Sequence, residues 1–500
     1  MIVSRRWFIG GAASFGAFGG CRMFECHDFR AGGRPNLTFG VVSDIHVSRM
    51  TGDPAKDVAD NTATLRHAFE YFRDAGVDAV VIAGDMADNG VMAQLEVVAA
   101  AWRSVFPNDR ALDGRKVEKL FVYGNHDLGG LPYARGLFKG LPDGEIEKRI
   151  ILPDPKAVWE RVFEEAYAPI WVKEVRGYSF VGAHWLVRGC RGKDEAFNAG
   201  IGDFYAAKRM AFDPKKPFFH IQHPHPKDTC YGSWAWGRDV GLSTKALSAF
   251  PNAVAFSGHS HYPLTDERSV WQGAFTSVGT ASLRYLDYTY NEFSPEGFEN
   301  TTCDGGRDAW RLNAEKMTPR IYAAGRQGMV WRVYDDCMAV ERRDLQFDQS
   351  VGPDWVIPLE MSEPRPFAFA ERAKKSVAPR FAEGAKLELS RVKAKNRGGK
   401  NKDEIVAAIE QDAIRVLIPP VAPDPNARVY LFEVTASGGG KTRTKRVVAK
   451  GSSNALGHAE AAAGTECVFA MDDFLQGPVT VSVVPENWFH RRGEAISGTV

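Results

Sequence analysis

Five short apolar runs in the first half of this chain each end in a small cluster of polar residues, and this arrangement constrains the fold more than any other feature. The runs have the length and composition of buried strands. The clusters that follow them are Asp44-Ile45-His46, Gly84-Asp85, Gly124-Asn125-His126-Asp127, His223-Pro224 and Gly258-His259-Ser260-His261. Because the carboxyl ends of strands in an open α/β sheet border one crevice, we expect these distant residues to meet there.

The segment between the first two runs has the pattern of a helix. Leu65, Ala68, Phe69 and Phe72 are spaced as the apolar face of a helix that packs on a sheet. Alternating strands and helices predict a layered α/β domain over roughly residues 37–344. Its last part, around Asp335-Asp336, is predicted to be a hairpin.

The pattern changes from about Gly352 onward. Short strand-like runs separated by turn residues predict an all-β sandwich. Its last run, residues 479–487, resembles the late strand of a fibronectin type III module. We therefore divide the chain into residues 1–30, 31–350 and 351–500.

Residues 1–30 resemble a twin-arginine secretion signal. Arg5-Arg6 is followed by Trp7-Phe8 and by a weakly apolar stretch with no acidic residue before Glu25. Cys21 closes the stretch, and two alternatives stay open: a lipid anchor on Cys21, or cleavage slightly further along. Either alternative predicts an exported protein in the periplasm or another extracytoplasmic location.

Charge and cysteine content exclude several classes of protein. The net charge of +1 gives no electrostatic case for binding nucleic acid, and the basic residues between Arg391 and Lys402 are interpreted as a solvated loop. The 7 cysteines lack C-x-x-C spacing, which argues against a disulfide scaffold, although a disulfide between Cys190 and Cys230 stays open. Nothing in the sequence fixes the oligomeric state.

The polar clusters have the chemistry of a metal site. Carboxylate, imidazole and amide oxygen are ligands for Zn, Mn and Fe. One carboxylate can bridge two such ions at a separation of about 3.5–4 Å, as in two-metal hydrolases. Two neighbouring histidines compete for the single position after the fourth run, and we prefer His223, which ends the strand, over His220, which lies inside it.

The ordered set D-x-H, G-D, G-N-H-D, H and G-H-x-H resembles the calcineurin-like metallophosphoesterase family. The resemblance implies a four-layer αββα sandwich, followed here by the all-β sandwich, and two divalent ions (Mn, Fe or Zn). The ligands implied for the first ion are Asp44, His46 and His261, the implied bridging ligand is Asp85, and those implied for the second ion are Asn125, His223 and His259.

The resemblance also implies catalytic and substrate-binding roles. His126 would act as the general acid and Asp88 would orient it. Asn125 and His126 would contact the substrate, and His225 would touch the phosphate. A hydroxide bridging the two ions would then attack phosphorus in line, which makes the substrate a phosphate ester.

Departures from the family pattern reduce the number of substrate classes to consider. Asn89 stands where protein Ser/Thr phosphatases carry a phosphate-binding arginine, and neither Met86 nor Ala87 supplies the tyrosine of purple acid phosphatases. We therefore expect a phosphodiester somewhat more than a monoester. The alternative is a non-catalytic scaffold protein whose sandwich domain binds carbohydrate or cell wall, which the intact motifs disfavour.

Overall fold

The computed structural model describes most of the chain after the predicted secretion signal. The described residues are 29, 32–48, 53–186, 200–208, 211–232, 237–287, 310–311, 326–396, 399–401, 404–406, 410–453, 464–474 and 477–500. The predicted lipid site Cys21 therefore lies outside them. Among the described helices, none has both the length and the apolar character that crossing a membrane requires.

The strands before residue 360 alternate with helices, as the sequence predicted. The strands are β1 (Leu37–Val42), β2 (Ala79–Ala83), β3 (Glu118–Val122), β4 (Ile170–Val175), β5 (Tyr178–Ala183), β6 (Phe218–Ile221), β7 (Ala253–Ser257), β8 (Val270–Gln272), β9 (Thr276–Gly279), β10 (Trp310–Arg311), β11 (Gln327–Val333), β12 (Cys337–Asp344), β13 (Gln349–Ser350) and β14 (Trp355–Pro358). The helices, including one beyond residue 360, are α1 (Pro54–Asp74), α2 (Met92–Val105), α3 (Leu131–Ala134), α4 (Asp143–Glu147), α5 (Pro155–Phe163), α6 (Ile201–Lys208), α7 (Leu242–Leu247) and α8 (Phe369–Lys375).

All of these strands except β10 form two large sheets. The first has the order β13-β12-β11-β1-β2-β3, and the second has the order β4-β5-β6-β7-β9-β8. The neighbours β1, β2 and β3 are parallel, as are β5, β6, β7 and β9. The predicted hairpin is β11 with β12.

The first sheet also corrects one predicted domain boundary. Strand β14 pairs antiparallel with β12, so the sheet continues past residue 350, where the sequence analysis ended the catalytic domain. The short run Trp355–Pro358 resembles the strands of the following domain, and its sequence carries no sign of the strand with which it pairs.

The two sheets face each other across an aromatic core centred on Phe39 of β1. Its ring packs edge-on against Phe180, Phe219 and Phe256 of the second sheet, at centroid distances of 5.4, 4.9 and 5.8 Å. It also stacks on Trp331 of its own sheet at 5.9 Å. Alternate residues of each strand therefore point between the sheets, as the period of a strand requires.

The outward faces of both sheets are covered by helices. Val42 and Ile82 of the first sheet belong to one buried cluster with Phe69 and Phe72 of α1. On the other side, Phe218 of β6 packs against Tyr205 of α6 and Phe250, with centroid distances of 6.0 and 5.5 Å. The order helix, sheet, sheet, helix confirms the predicted four-layer fold.

Among the described residues between 388 and 499, the regular secondary structure is β-strand apart from one 3-10 helix, Met471–Asp473. Its strands are β15 (Glu388–Asn396), β16 (Gly399–Asn401), β17 (Glu404–Val406), β18 (Glu410–Ile418), β19 (Val429–Gly438), β20 (Lys441–Val448), β21 (Thr465–Ala470), β22 (Thr480–Asn487) and β23 (Ile496–Thr499). Two antiparallel sheets, β10-β15-β18-β21 and β20-β19-β22-β23, share a core that includes Val416, Val434, Phe469 and Val481. This confirms the predicted all-β layout.

Hydrogen bonds join this sandwich to the α/β part of the chain. Gln327 donates from Nε2 to the Ser453 carbonyl at 2.7 Å and accepts at Oε1 from the Leu264 amide at 2.7 Å. Arg428 donates to the Val351 carbonyl at 2.6 Å. Through Gln327, the C-terminal sandwich therefore stabilises the loop that follows β7 and contains Leu264.

The structure excludes the disulfide between Cys190 and Cys230 that the sequence left open. Cys230 is a free, buried thiol, and its Sγ lies 3.4 Å from Ser277 Oγ. It therefore forms no disulfide with Cys190, which lies outside the described residues.

We expect Phe39→Ala to destabilise the α/β part by about 3–5 kcal/mol, because the truncation opens a cavity between the two sheets. The control is Val172→Ala on the edge strand β4, where the side chain is 42% exposed and the expected loss is small. Urea unfolding followed by tryptophan fluorescence measures both variants. Equal midpoints for the two would contradict the central position of Phe39.

Candidate metal centre

Polar side chains from both sheets converge where the parallel strands end. The residues that follow strand ends are Asp44 after β1, Asp85 after β2, Asn125 after β3, His223 after β6 and His259 after β7. Because the two large sheets of the α/β part pack face to face, the carboxyl ends of their parallel strands lie beside each other. Residues more than two hundred positions apart in the chain therefore come within contact distance, as with the amide of His259 and the carboxylate of Asp44.

The first group of donors contains Asp44, His46 and His261. His261 Nε2 lies 3.0 Å from Asp44 Oδ1 and 3.1 Å from His46 Nε2. His46 Nε2 is 3.7 Å from both Asp44 Oδ1 and Asp85 Oδ2. Four donor atoms thus face a common centre.

The second group contains Asp85, His223 and His259. Asp85 Oδ2 is 3.1 Å from His223 Nε2, and the rings of His223 and His259 lie 4.8 Å apart. The same Asp85 oxygen therefore faces both groups, as a bridging ligand must. Asn125 is 1% exposed, and neither atom of its amide group has a hydrogen-bond partner among the described residues.

These distances fit divalent cations. Ligand atoms about 2.1 Å from a tetrahedral ion lie about 3.4 Å from one another, close to the spacing seen in the first group. Buried polar atoms are rarely left without partners, because each unmade hydrogen bond costs free energy. A cation accounts for the buried amide of Asn125 and for two imidazole nitrogens that face each other.

The charges of the cluster favour positive occupants. Burial opposes ionisation of Asp44, yet the neighbouring His261 and His46 hold its pKa well below the usual range. Burial likewise opposes a charge on His46, but contacts with Asp44 and Asp88 raise its pKa to about 10. Protons on histidines here occupy the place that metal ions would take, and metal binding would release them.

Several candidate ligand residues have strained backbone conformations. Left-handed backbone conformations are costly for residues other than glycine and concentrate at functional sites. The candidate ligands that adopt them are Asp44 (φ 50°), His46 (φ 45°), Asp85 (φ 51°), His259 (φ 71°) and His261 (φ 58°). The packed strands beneath hold these turns in place.

Glycines in the motifs allow the backbone to approach the ligand carboxylates. A Cβ on Gly124 would lie 2.2 Å from Asp85 Oδ1, and one on Gly258 would lie 2.3 Å from Asp44 Oδ2. A nearby amide of each motif donates to the same carboxylate: the amide of His126, two residues after Gly124, donates to Asp85 at 2.8 Å, and that of His259, directly after Gly258, donates to Asp44 at 3.0 Å. Each carboxylate is thereby fixed by the motif of a different strand.

His126 lies at the edge of the cluster with its side chain 31% exposed. Its Nδ1 donates to the carbonyl of Asp88 at 2.8 Å, which leaves Nε2 to meet a substrate. Burial lowers the pKa of His126. The ring lies edge-on to His46, with centroids 4.6 Å apart.

The predicted role of the Asp88 carboxylate needs correction. Asp88 Oδ1 is 3.1 Å from His46 Nδ1 and 3.6 Å from His126 Nδ1. The carboxylate therefore orients the metal-ligand candidate His46, whereas the main-chain carbonyl of Asp88 orients His126. The sequence showed that Asp88 was near, but not which of its oxygens would make which contact.

The prediction that His225 touches the phosphate is also wrong. Its Nδ1 and Nε2 are both hydrogen-bonded at 2.7 Å, to the hydroxyls of Ser257 and Ser260, and the residue is 1% exposed. Burial lowers its pKa to about 3. His220 is similarly occupied by Tyr205 and Gln222, which leaves His223 as the histidine that faces the cluster.

Several supporting residues had no clear signal in the sequence. Ser43 Oγ lies 2.5 Å from Asp44 Oδ2, and Ser282 Oγ donates to the Asp44 carbonyl at 2.9 Å. Asp127, the last residue of the third motif, accepts from the amides of Ala87 and Gly124 at 2.7 and 2.8 Å. It ties the second and third motifs together.

We expect Gly258→Ala to reduce metal affinity, because the added methyl group displaces the Asp44 carboxylate. Gly202→Ala is the matched control, since nothing lies within 4 Å of the Cβ it adds. Metal content per chain after gel filtration in dilute metal gives the comparison. Full retention of metal in Gly258→Ala would show that Asp44 is not a ligand.

Comparison with known proteins agrees with this geometry. The sequence profile of the calcineurin-like phosphoesterase family matches residues 37–263. No curated protein matches the chain.

The solved structures that match this chain have low similarity to it. A dimetal phosphatase from Danio rerio is 13% identical, with a TM-score of 0.37 over 65% of this chain and 100% of its own. A purple acid phosphatase from yellow lupin (Lupinus luteus) seeds is 12% identical, with a TM-score of 0.33 over 65% of this chain and 55% of its own. These scores carry no information about the substrate. The stretch that matches the calcineurin-like phosphoesterase profile, residues 37–263, is also the stretch that contains all five converging motifs.

Proposed function

We propose that this protein is a binuclear metal-dependent phosphoric ester hydrolase that prefers phosphodiesters. The observation that carries the proposal is the position of Asp85 between two groups of histidine and carboxylate donors. Asp44, His46 and His261 would hold one ion. Asn125, His223 and His259 would hold the other, with Mn, Fe or Zn as the candidate metals.

When bound, two divalent ions would lower the pKa of water and neutralise phosphate oxygens. The protein itself supplies the proton at the other end of the reaction. With Nδ1 held by the Asp88 carbonyl, His126 presents Nε2 toward the substrate and can protonate the leaving oxygen. The Asp88 carboxylate holds the ring of His46 in the orientation that a metal ligand needs.

The surroundings of Asn89 support a phosphodiester over a phosphoprotein substrate. Its side chain donates to the carbonyl of Tyr133 at 3.1 Å and accepts from Gln94 at 3.1 Å. Asn89 therefore stabilises the segment around Tyr133, and its neutral side chain provides no positive charge to a phosphate group. A phosphodiester carries one negative charge fewer than a phosphomonoester dianion, so its binding requires less positive charge from the protein.

The competing hypothesis is a non-catalytic scaffold protein with a carbohydrate-binding sandwich. Loss of catalysis would remove a ligand or the histidine of the G-N-H motif, and Asn125 and His126 are both present. The sandwich instead packs on the phosphoesterase domain through Gln327 and Ser453. Its strand orders, β15-β18-β21 and β20-β19-β22-β23, support a fibronectin III-like module.

We expect Asp85→Asn to lose both ions and His126→Ala to keep them while its rate falls by about 10²–10⁴-fold. Metal analysis is combined with rates on bis-p-nitrophenyl phosphate and p-nitrophenyl phosphate, and the diester is expected to react faster. His67→Ala is the control, because His67 is an exposed histidine paired with Asp348. A wild-type protein that binds no metal would refute the proposal, and faster monoester cleavage would refute the diester preference alone.

We also propose that the protein is exported by the twin-arginine route. The paired Arg5 and Arg6 support this, as does the participation of Cys337 in a disulfide, since disulfides persist in oxidising compartments. Export of a folded chain would suit an enzyme that takes up metal before it leaves the cytoplasm.

Replacing Arg5 and Arg6 together by lysine is expected to leave the protein in the cytoplasm, because the signal depends on the arginine pair. Cell fractionation measures the distribution, with Arg34→Lys as the control. Labelling with a radioactive fatty acid, compared between wild type and Cys21→Ala, tests the lipid anchor. Normal export of the double lysine variant would exclude this route, and an unlabelled wild type would exclude lipidation.

A further inference from the structure

Tyr133 belongs to the short helix α3, which closely follows the third motif in the chain. Its amide donates to the Gly130 carbonyl at 3.1 Å, and its carbonyl accepts from Asn89 Nδ2 at 3.1 Å. The ring lies against Gly129, where an added Cβ would overlap the ring atoms. The backbone that follows the third motif therefore fixes the position of this half-buried ring.

The ring of Tyr133 contacts His126, the candidate general acid. The two ring centroids are 4.8 Å apart, and the ring planes are inclined at 62°. His126 also contacts the ring of His46, a candidate ligand, at 4.6 Å. The imidazole of His126 thus has the metal-ligand candidates as one neighbour and Tyr133 as another.

The geometry of the reaction determines where the departing alcohol lies. The attacking and leaving oxygens are in line on opposite sides of phosphorus. The bond from the attacking oxygen forms, the bond from phosphorus to the leaving oxygen breaks, and His126 gives its proton to the leaving oxygen. That oxygen must come within about 3 Å of His126 Nε2, because Nδ1 is held by the Asp88 carbonyl. The carbon skeleton of the alcohol begins one bond further on, within reach of a side chain that packs against His126.

A half-buried tyrosine ring is well suited to contact a flat apolar group. Packing on Gly129 and His126 uses part of the Tyr133 ring, and part of the side chain stays accessible to solvent. Aromatic rings attract one another more strongly than the burial of their area alone would give. An aromatic leaving group would therefore bind here better than an aliphatic one.

We propose that Tyr133 contacts the leaving group of the substrate and selects phosphate esters of aromatic alcohols, in which a ring is bonded at or next to the ester oxygen. This inference rests on the proposed function and adds a substrate class to it. It assigns a role in specificity to a residue that lies outside the five motifs, and it leaves proton transfer to His126.

The test compares two diesters that share a methyl group and differ in the leaving alcohol, methyl phenyl phosphate and methyl trifluoroethyl phosphate. Absorbance follows phenol release and fluorine NMR follows trifluoroethanol release, which gives kcat/KM for each diester with the metal-loaded protein. The ratio of the two kcat/KM values is compared between variants, because the intrinsic reactivities of the alcohols then cancel. We expect Tyr133→Leu to lower the phenyl-to-trifluoroethyl ratio about three- to tenfold and Tyr133→Phe to keep it.

Binding without turnover gives a second measurement. Benzylphosphonate has a methylene group where phenyl phosphate has its ester oxygen, and ethylphosphonate lacks the ring. Calorimetry on the metal-loaded protein should show wild type binding benzylphosphonate more tightly, and Tyr133→Leu should lower this preference by a similar factor. The phosphonate preference decides alone if either diester reacts too slowly to be measured.

Tyr71→Leu is the control, since Tyr71 is also a half-buried tyrosine but lies on α1 and donates to Glu341 of β12. Lower ratios in Tyr133→Leu with wild-type ratios in Tyr71→Leu support the inference. Unchanged ratios in Tyr133→Leu overturn it, as does equal slowing of both diesters, which a role confined to packing on His126 would give. Both outcomes leave the proposed function standing. A wild type that binds no metal and hydrolyses no phosphate ester overturns the proposed function and the inference with it.

Discussion

Asp85 Oδ2 lies 3.7 Å from His46 Nε2 and 3.1 Å from His223 Nε2, so one buried oxygen faces histidines from two different sheets. That contact requires the two sheets to stack with their parallel strands pointing the same way. The aromatic packing around Phe39 provides this stacking well below the site. The positions of the candidate ligands therefore depend on how the two large sheets pack. A substitution that weakens the aromatic core around Phe39 would move these residues apart, although they do not contact it.

Several features of the site lower the stability of the metal-free protein. Left-handed turns at Asp44 and Asp85 and buried carboxylates close to imidazoles all cost free energy in the metal-free chain. The surrounding strands, the amides of His126 and His259 and the close approach at Gly124 and Gly258 hold the donors in place despite that cost. Metal binding would recover it, so folding and metal uptake should be thermodynamically linked.

The sequence predicted the four layers and the polar residues that converge at one edge of the sheets, because each of these residues follows an apolar run, often beside a glycine, and those signals are local. It failed where the answer depended on another strand. His225 lies two residues from His223, but its ring nitrogens are occupied by Ser257 and Ser260 near the end of β7. Ser282 and Arg284 belong to the segment after β9, which has no motif, and their relation to Asp44 appears only when the strands are assembled.

The C-terminal sandwich contributes to the site through the backbone. Ser453 holds Gln327, and Gln327 in turn holds the amide of Leu264, in the loop that carries His261. The amide of Gln327 also donates to the Ser282 carbonyl, and the Ser282 hydroxyl donates to the Asp44 carbonyl. One buried glutamine thus connects the C-terminal sandwich with the loop that carries His261 and with the turn that holds Asp44. Since a buried amide that loses a partner is costly, displacement of the C-terminal sandwich would disturb His261 and Asp44 together.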